Sequence, residues 1–327
     1  MKKYVVDAMG GDNGSSIVVD AIKKYKSHND DIFFFVVGNE NELKDLKNED
    51  RIEIIPSKSI MKMDATPLEA MHMRDSSMYL AFETLINKKA DAIISAGGTG
   101  AFLSLATIKL RLIEGLRRAA LIAPFPTLQK GKKTCLLDIG ANNENSPEEL
   151  VSFAKMGKLY VEAVYDVKKP KIYLLSNGTE EHKGSPISKA AYQLLKEQNF
   201  PGFQGNIEAR EALNGEADVI VMDGFTGNVF LKSSEGMAKM MSSLIKKAFK
   251  RNLLTKIGYL FARKGFKELQ ETMDYKTTGG AMFLGVNGVV VKAHGSSDAY
   301  SFYHAIKVAD ALARKDIVSQ IKEKMNI

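Results

Sequence analysis

Short apolar runs rich in Val, Ile and Phe recur along the chain. Each is followed by a Gly/Asn/Ser turn and then by apolar residues at three-and-four spacing. The runs predict strands over residues 3–8, 32–37, 51–55, 91–95, 133–137, 171–175 and 218–222. The spaced segments predict helices from near Ser15, after Gly38-Asn39, from residue 101 to about Leu112, and from Ser146, Pro186 and Asn228. Thr66-Pro67-Leu68-Glu69 and Ser146-Pro147-Glu148-Glu149 each offer a capping hydroxyl, a proline at the first helical position and a glutamate at the third. Strands alternating with helices imply an α/β fold, a three-layer α/β/α arrangement around a mostly parallel sheet.

No Pro/Ser-rich linker, low-complexity tract or short repeat divides the chain, so residues 1–327 read as one domain. One segment breaks the rhythm, a helical insert over residues 236–274. Met237, Met240, Met241, Leu244, Ile245, Ala248 and Phe249 form a stripe that suits packing on a second copy of the chain. Leu253, Leu254, Ile257, Leu260 and Phe261 then share one arc of a second helix. Between Glu235 and Glu268 lie nine basic residues and no acid. An apolar arc beside cations is the pattern of a helix lying on an anionic membrane surface. The plainer alternative is a dimerisation arm with a solvated basic face.

Composition narrows the class. The 327 residues are 45% hydrophobic and 26% charged, which excludes a disordered or collagen-like chain. No apolar run approaches the ~20 residues of a membrane span, and the start, Met1-Lys2-Lys3, enters a strand pattern directly, so no secretory leader is expected. A single cysteine, Cys135, excludes internal disulfides and fits a reducing cytoplasm. It lies in an apolar strand and reads as core. The formal charge of +7 favours acidic partners, among them nucleic acid, anionic lipid and an acidic carrier protein. Scarcity of aromatics among the basic residues argues against nucleic acid.

Ligands of an open parallel sheet bind beyond the carboxyl ends of its strands, where the polar turns fall. Ser95-Ala96-Gly97-Gly98-Thr99-Gly100 leads into a helix, and glycine there lets backbone N–H groups approach an anion. Gly10-Gly11-Asp12 and Asn142-Asn143 are two further such turns. Walker and dinucleotide spacings fail, as do the serine-hydrolase elbow and the zinc motif. A phosphate-sized anion fits better than a nucleotide. Lys183 precedes a helix start and can join an anion site. His294, in the small-residue turn Ala293-His294-Gly295-Ser296-Ser297-Asp298, is a candidate acid, base or phosphate ligand. Asn228 reads either as a helix cap or as a donor to a developing oxyanion.

Taken together, these turns resemble the PlsX family of bacterial phosphate acyltransferases. The resemblance runs nearly end to end, through stretches 7–12, 95–100, 138–142, 183–186, 205–210, 223–228 and 292–298. Gly115-Leu116-Arg117-Arg118 departs from the glycine- and proline-containing loop usual in the family. The resemblance implies a phosphotransacetylase- and isocitrate-dehydrogenase-like fold, a homodimer, and no metal or other cofactor. It implies transfer of a long-chain acyl group from acyl carrier protein to inorganic phosphate. The acyl phosphate then feeds a membrane acyltransferase that acylates glycerol 3-phosphate in phospholipid synthesis, which places the enzyme in the cytoplasm beside the cell membrane. Catalytic positions fall on Lys183 and Asn228, with His294 as a possible helper. Phosphate binding falls to Gly10, Gly11, Asp12, Ser95, Gly97, Gly98, Thr99, Gly100, Asn142, Asn143, Ser296 and Ser297. A short-chain phosphotransacetylase acting on acyl-CoA is the nearest alternative. Lys109, Arg111, Arg117 and Arg118 form a candidate docking patch for the acidic carrier.

Overall fold

β-Branched and aromatic runs that are buried on both faces build the centre of the molecule. The computed structural model describes residues 1–273 and 279–325, with backbone alone over 267–273. In chain order the elements are β1 (Lys2–Asp7), α1 (Ser16–Lys26), β2 (Ile32–Gly38), β3 (Ile52–Pro56), α2 (Pro67–His72), α3 (Ser77–Asn87), β4 (Ala92–Ser95) and α4 (Thr99–Leu110). Next come β5 (Ala120–Pro126), β6 (Lys133–Leu137), α5 (Pro147–Tyr165), β7 (Ile172–Ser176), α6 (Pro186–Glu197), β8 (Phe203–Glu208) and β9 (Val219–Val221). The chain closes with α7 (Gly224–Lys250), α8 (Leu253–Met273), β10 (Ala281–Leu284), β11 (Val289–Lys292), α9 (Ala299–Arg314) and α10 (Ile317–Met325).

The strands form one sheet in the order β3-β2-β1-β4-β11-β10-β5-β6-β9-β7-β8. Successive side chains point to opposite faces. Val6, Ile94 and Leu137 therefore meet the layer of α1, α5 and α9, while Val5, Ile93 and Leu136 meet that of α3 and α4. Three antiparallel pairings, β11–β10, β10–β5 and β5–β6, interrupt an otherwise parallel sheet near its middle. The mostly parallel three-layer expectation stands.

Three strands at that middle escape the hydrophobic pattern. Pro124 and Pro126 make β5 look like a loop, since proline lacks the N–H a central strand needs. β10 pairs with β5 only over Ala120–Ile122, so from Pro124 onward β5 has a partner on the β6 side alone. The proline is tolerated there, and the sheet opens at that point. The hairpin β10–β11 is four residues a strand, too short for a convincing alternation.

The capping signals at helix starts hold, but the helix expected after Gly38-Asn39 is only a single 3-10 turn at Lys44–Leu46. Thr66 with Glu69, and Ser146 with Glu149, close reciprocal capping boxes behind Pro67 and Pro147. Ser185 caps α6 through the Ser188 N–H.

The projecting arm is the far part of α7, with α8 folding back on it. Phe249 packs on Phe266 and Tyr259, with ring centroids 4.7 and 5.4 Å away. It therefore closes the hairpin instead of joining an open stripe. Met237, Met240, Met241, Leu244, Leu253, Leu254, Ile257, Leu260 and Phe261 are all exposed. Residues 274–278, at the expected end of the insert, lie outside the described residues.

Two glycines of α7 separate contact from propensity. A Cβ on Gly227 would stand 1.8 Å from the Asp138 carbonyl oxygen, whereas one on Gly236 would meet nothing. Gly227→Ala should cost at least ~1–3 kcal/mol by forcing the helix off the sheet. Gly236→Ala should be neutral or stabilise by up to ~1 kcal/mol through helix propensity. Denaturant titration of the two variants checks both signs.

Candidate functional site

Two buried aspartates organise the turns at the carboxyl ends of the strands. Asp138, just past β6, accepts hydrogen bonds from the backbone N–H groups of Leu121, Gly140, Ala141 and Asn142 at 2.9–3.2 Å. The Asn142 side-chain amide adds a fifth at 2.8 Å and also donates to the Ala119 carbonyl. Burial pushes the Asp138 pKa up, and the N–H donors work against that rise. Helix α7 is driven onto this turn. A Cβ on Gly224 would stand 2.0 Å from the Asn142 carbonyl oxygen, so the first turn of α7 accepts only glycine at its two contacts. Asp223 caps the helix through the Thr226 N–H at 2.8 Å, which releases Asn228 from the capping role.

Asp7, at the end of β1, plays the matching part in the other half of the sheet. It accepts from the Ser95 hydroxyl at 2.6 Å and from the Met9 N–H at 3.2 Å. Burial raises its pKa, while Ser95 and Ser77 favour the charged form. Ser95 in turn accepts from the Gly97 N–H at 3.0 Å. Gly10 lies so close that a Cβ there would be 2.7 Å from the Gly97 nitrogen. The 9–14 turn is tied to the 293–298 turn by Asp12 N–H to the Gly295 carbonyl and by the Asn13 amide to the Ser296 and Ser297 carbonyls.

Between the two halves lies a cavity of about 410 Å³, in the ordinary range for a small-molecule site. Its apolar lining includes Leu121, Ala123 and Phe125 on a single face of β5, with Ile139, Leu231 and Ala281. Its polar lining is Asp12, Thr99, Asn228, Lys232, Glu235, Lys292, His294, Ser296 and Ser297. Helix α4 opens at Thr99 behind Gly98, with no side-chain cap, so its first N–H groups are available beside the cavity. The Asn228 amide makes no hydrogen bond within the described residues and stands against Gly140. Lys292 is buried, and its ammonium donates to the carbonyls of Ala96 and Ala293.

His294 is held from both sides. Its Nδ1 lies 2.9 Å from the Ser296 hydroxyl and accepts the Ser296 N–H, and its Nε2 faces the Glu235 carboxylate at 3.5 Å. That arrangement puts the proton on Nε2 and leaves neither nitrogen open as a base. Burial alone would raise the Glu235 pKa, but His294 and Lys232 together hold it below the usual value.

The structure brings together Asp12, Thr99, Asn228, His294, Ser296 and Ser297 at the cavity. It spreads the others around it. Ser95, Gly10, Gly11, Gly97 and Gly98 serve the packing of one turn on another, with Gly98 set against the Met63 backbone. Gly100 faces open space. Asn142 locks the Asp138 turn, and Asn143 is exposed beside it. Lys183 does not line the cavity. It sits in the turn after β7, which β9 separates from β6, and its side chain passes beside Gly178. The proposed docking patch loses one member, because Lys109 is bonded to Glu83 and Tyr79 and is mostly buried. Cys135 is fully buried, and burial pushes its thiol pKa up, as core packing requires.

Lys232, Glu235 and Lys292 carry no spacing signal in the sequence. The first two lie one turn apart on α7, where they read as an ordinary solvated pair. Lys292 ends a strand that the pattern did not reveal. Among the described residues no cluster of His, Cys, Asp and Glu is placed to hold a metal ion.

Comparison with known proteins agrees with this architecture. The family model described as "Fatty acid synthesis protein" matches residues 2–320. The phosphate acyltransferase of Alkaliphilus oremlandii is 44% identical over 328 residues, covering 98% of this chain and 96% of its own. That of Exiguobacterium sp. is 39% identical over 324 residues, covering 98% of each. A phosphotransacetylase from Streptococcus pyogenes superposes with a TM-score of 0.61 at 17% identity, over 96% of this chain and 94% of its own. A branched-chain phosphotransacylase from Enterococcus faecalis gives 0.59 at 16%, over 95% and 99%. The two structures establish a shared fold. With sequence identity this high along the whole chain, the protein belongs to the phosphate acyltransferase family, and it is an acyltransferase.

Proposed function

We propose that the enzyme moves a long-chain acyl group from acyl carrier protein to inorganic phosphate, yielding acyl phosphate for phosphatidic acid synthesis. The observation that carries this reading is the mixed apolar and polar lining of the cavity. Its apolar residues on β5 suit an acyl chain, and its polar residues suit a phosphate. A short-chain acyl-CoA substrate would use little of the Leu121–Ala123–Phe125 face.

The chemistry asks little of acids and bases. Phosphate is already largely ionised near neutral pH, and a thiol with a pKa of ~8.5 leaves as thiolate without a strong acid. A phosphate oxygen attacks the thioester carbonyl, the carbonyl oxygen takes up negative charge, and collapse expels the carrier thiolate. Asn228 donates to that oxyanion from the rim of the Asp138 turn. The α4 N-terminus, Ser296 and Ser297 hold phosphate oxygens, and Glu235 fixes the His294 ring beside them. Lys183, whose ammonium is unpaired among the described residues, acts from outside the cavity on the approaching anionic substrates.

The exposed arm is the surface for a second copy of the chain and for the membrane. Met237, Met240, Met241 and Leu244 pair the protomers. Leu253, Leu254, Ile257, Leu260 and Phe261 enter an anionic lipid surface beside the basic residues of α7 and α8. No described helix is long and apolar enough to cross a membrane. A cytoplasmic enzyme held at the membrane face in this way delivers a hydrolysis-prone product directly to the membrane acyltransferase that consumes it.

Incubation with long-chain acyl carrier protein, acyl-CoA and phosphate, with hydroxylamine trapping, tests the activity. Acyl hydroxamate formed faster from acyl-CoA than from the carrier would overturn the donor assignment. Asn228→Ala should lower kcat ~10²–10³-fold with little change in the KM for phosphate. A pure binding defect contradicts the oxyanion role. Lys183→Ala should raise KM for the acyl carrier more than it lowers kcat, and the reverse pattern would place its ammonium at the reacting atoms. Leu254→Glu with Leu260→Glu should abolish co-sedimentation with anionic vesicles and spare activity on soluble substrate. Retained vesicle binding moves the membrane surface elsewhere, and loss of the dimer makes the arm a dimerisation element only.

A further inference from the structure

The most unusual charge in the molecule is Lys292. It is 7% exposed, it ends β11, and it lines the cavity where the 95–100 and 293–298 turns meet. Its Nζ donates to the Ala96 carbonyl at 3.3 Å and to the Ala293 carbonyl. No carboxylate lies within ion-pair distance of it among the described residues, although other buried cations such as Lys26 have two. An ammonium has three donors, and two neutral carbonyls occupy two of them. A buried cation without a counter-ion is costly unless something else neutralises it.

We infer that Lys292 is the residue that anchors inorganic phosphate, its third N–H and its uncompensated charge directed at a phosphate oxygen in the cavity. The two carbonyls fix the ammonium in place, so little side-chain entropy is lost when the anion arrives. Their turns are the same ones that bring the α4 N-terminus, Ser296 and Ser297 to the cavity. The anion thus completes the coordination of Lys292 and meets backbone donors in one step. This assignment rests on the cavity being the phosphate-transfer site, and it goes beyond the spacing-based choice of Lys183, which stands outside that cavity.

The surroundings also set a pH limit. Burial lowers the Lys292 pKa to about 8, opposed by the charges of Asp12 and Asp7 and reinforced by Lys232. Glu235 and His294 are the other titratable groups on the cavity wall, and both are engaged with one another. Lys292 is therefore mostly charged at neutral pH and loses its charge as pH rises through 8. Above that pH inorganic phosphate is already almost entirely the dianion, so its own charge changes little there. Phosphate binding should weaken roughly tenfold per pH unit on the alkaline side.

The test titrates inorganic phosphate into the full-length protein by calorimetry, without acyl donor, from about pH 7 to about pH 10. Steady-state kinetics accompany it. Lys292→Met should weaken phosphate binding roughly 10- to 100-fold at pH 7, as expected for a lost charged hydrogen bond, and leave the KM for acyl donor unchanged. Lys292→Arg cannot lose its charge in this range, so whatever affinity it has should stay flat where wild type declines. A role confined to bridging the two turns would lower the melting temperature and disturb both substrates alike, with no change in the shape of the pH profile. Equal phosphate affinity in wild type and Lys292→Met, or an alkaline decline that persists in Lys292→Arg, overturns the assignment. Should wild type bind phosphate with this profile yet make no acyl phosphate from the carrier, the donor reading fails and the phosphate anchor stands.

Discussion

Burying an aspartate carboxylate at the end of a strand is unfavourable unless every oxygen lone pair finds a donor, and that constraint shapes both halves of this enzyme. Asp138 gathers five N–H donors, so the residues that follow β6 must turn sharply back around it. Asp7 gathers fewer donors but binds Ser95, and through it fixes the entrance to α4. Both carboxylates tie their turns back to the strand ends, and the cavity is the space left between them.

This division of labour explains why so many polar and glycine residues near the site never reach the ligand space. Gly10, Gly224 and Gly227 are small because another backbone passes within contact distance, and Gly97 because the Met78 side chain does. Asn142 spends its amide on Asp138 and Ala119. The groups that do face the cavity, Asn228, Thr99 and Lys292 among them, are held by these hidden neighbours.

The periodic parts of the fold were legible in the sequence because burial imposes a simple rhythm on β1, β2, β4 and β6 and on capped helices such as α5. Strand β5 was not, since its prolines are permitted only by the local end of β10, a tertiary fact. The cavity was legible by halves. Glycine-rich turns announce close backbone approach but cannot say whether the visitor is a ligand or another turn of the same chain. Lys292 stayed hidden because nothing in a sequence distinguishes a buried lysine from a solvated one. Lys183 stood out for the opposite reason, its place before a capped helix, and the fold sets it two strands from β6.

Helix α7 is continuous from the Asp138 turn to the exposed arm, 27 residues without a break. At 1.5 Å per residue, Lys232 lies about 8 Å from the Gly227 contact and Lys250 about 35 Å from it, on the same rod. A rod clamped at one end behaves as a lever. A sideways shift of several ångströms at the tip reaches Lys232 on the cavity wall reduced roughly four- to fivefold, to about an ångström, the scale at which a charged group either meets a ligand or misses it. Whatever fixes the tip therefore also sets where Lys232 stands in the cavity, while Asn228, one residue from the clamp, takes its position from the Asp138 turn.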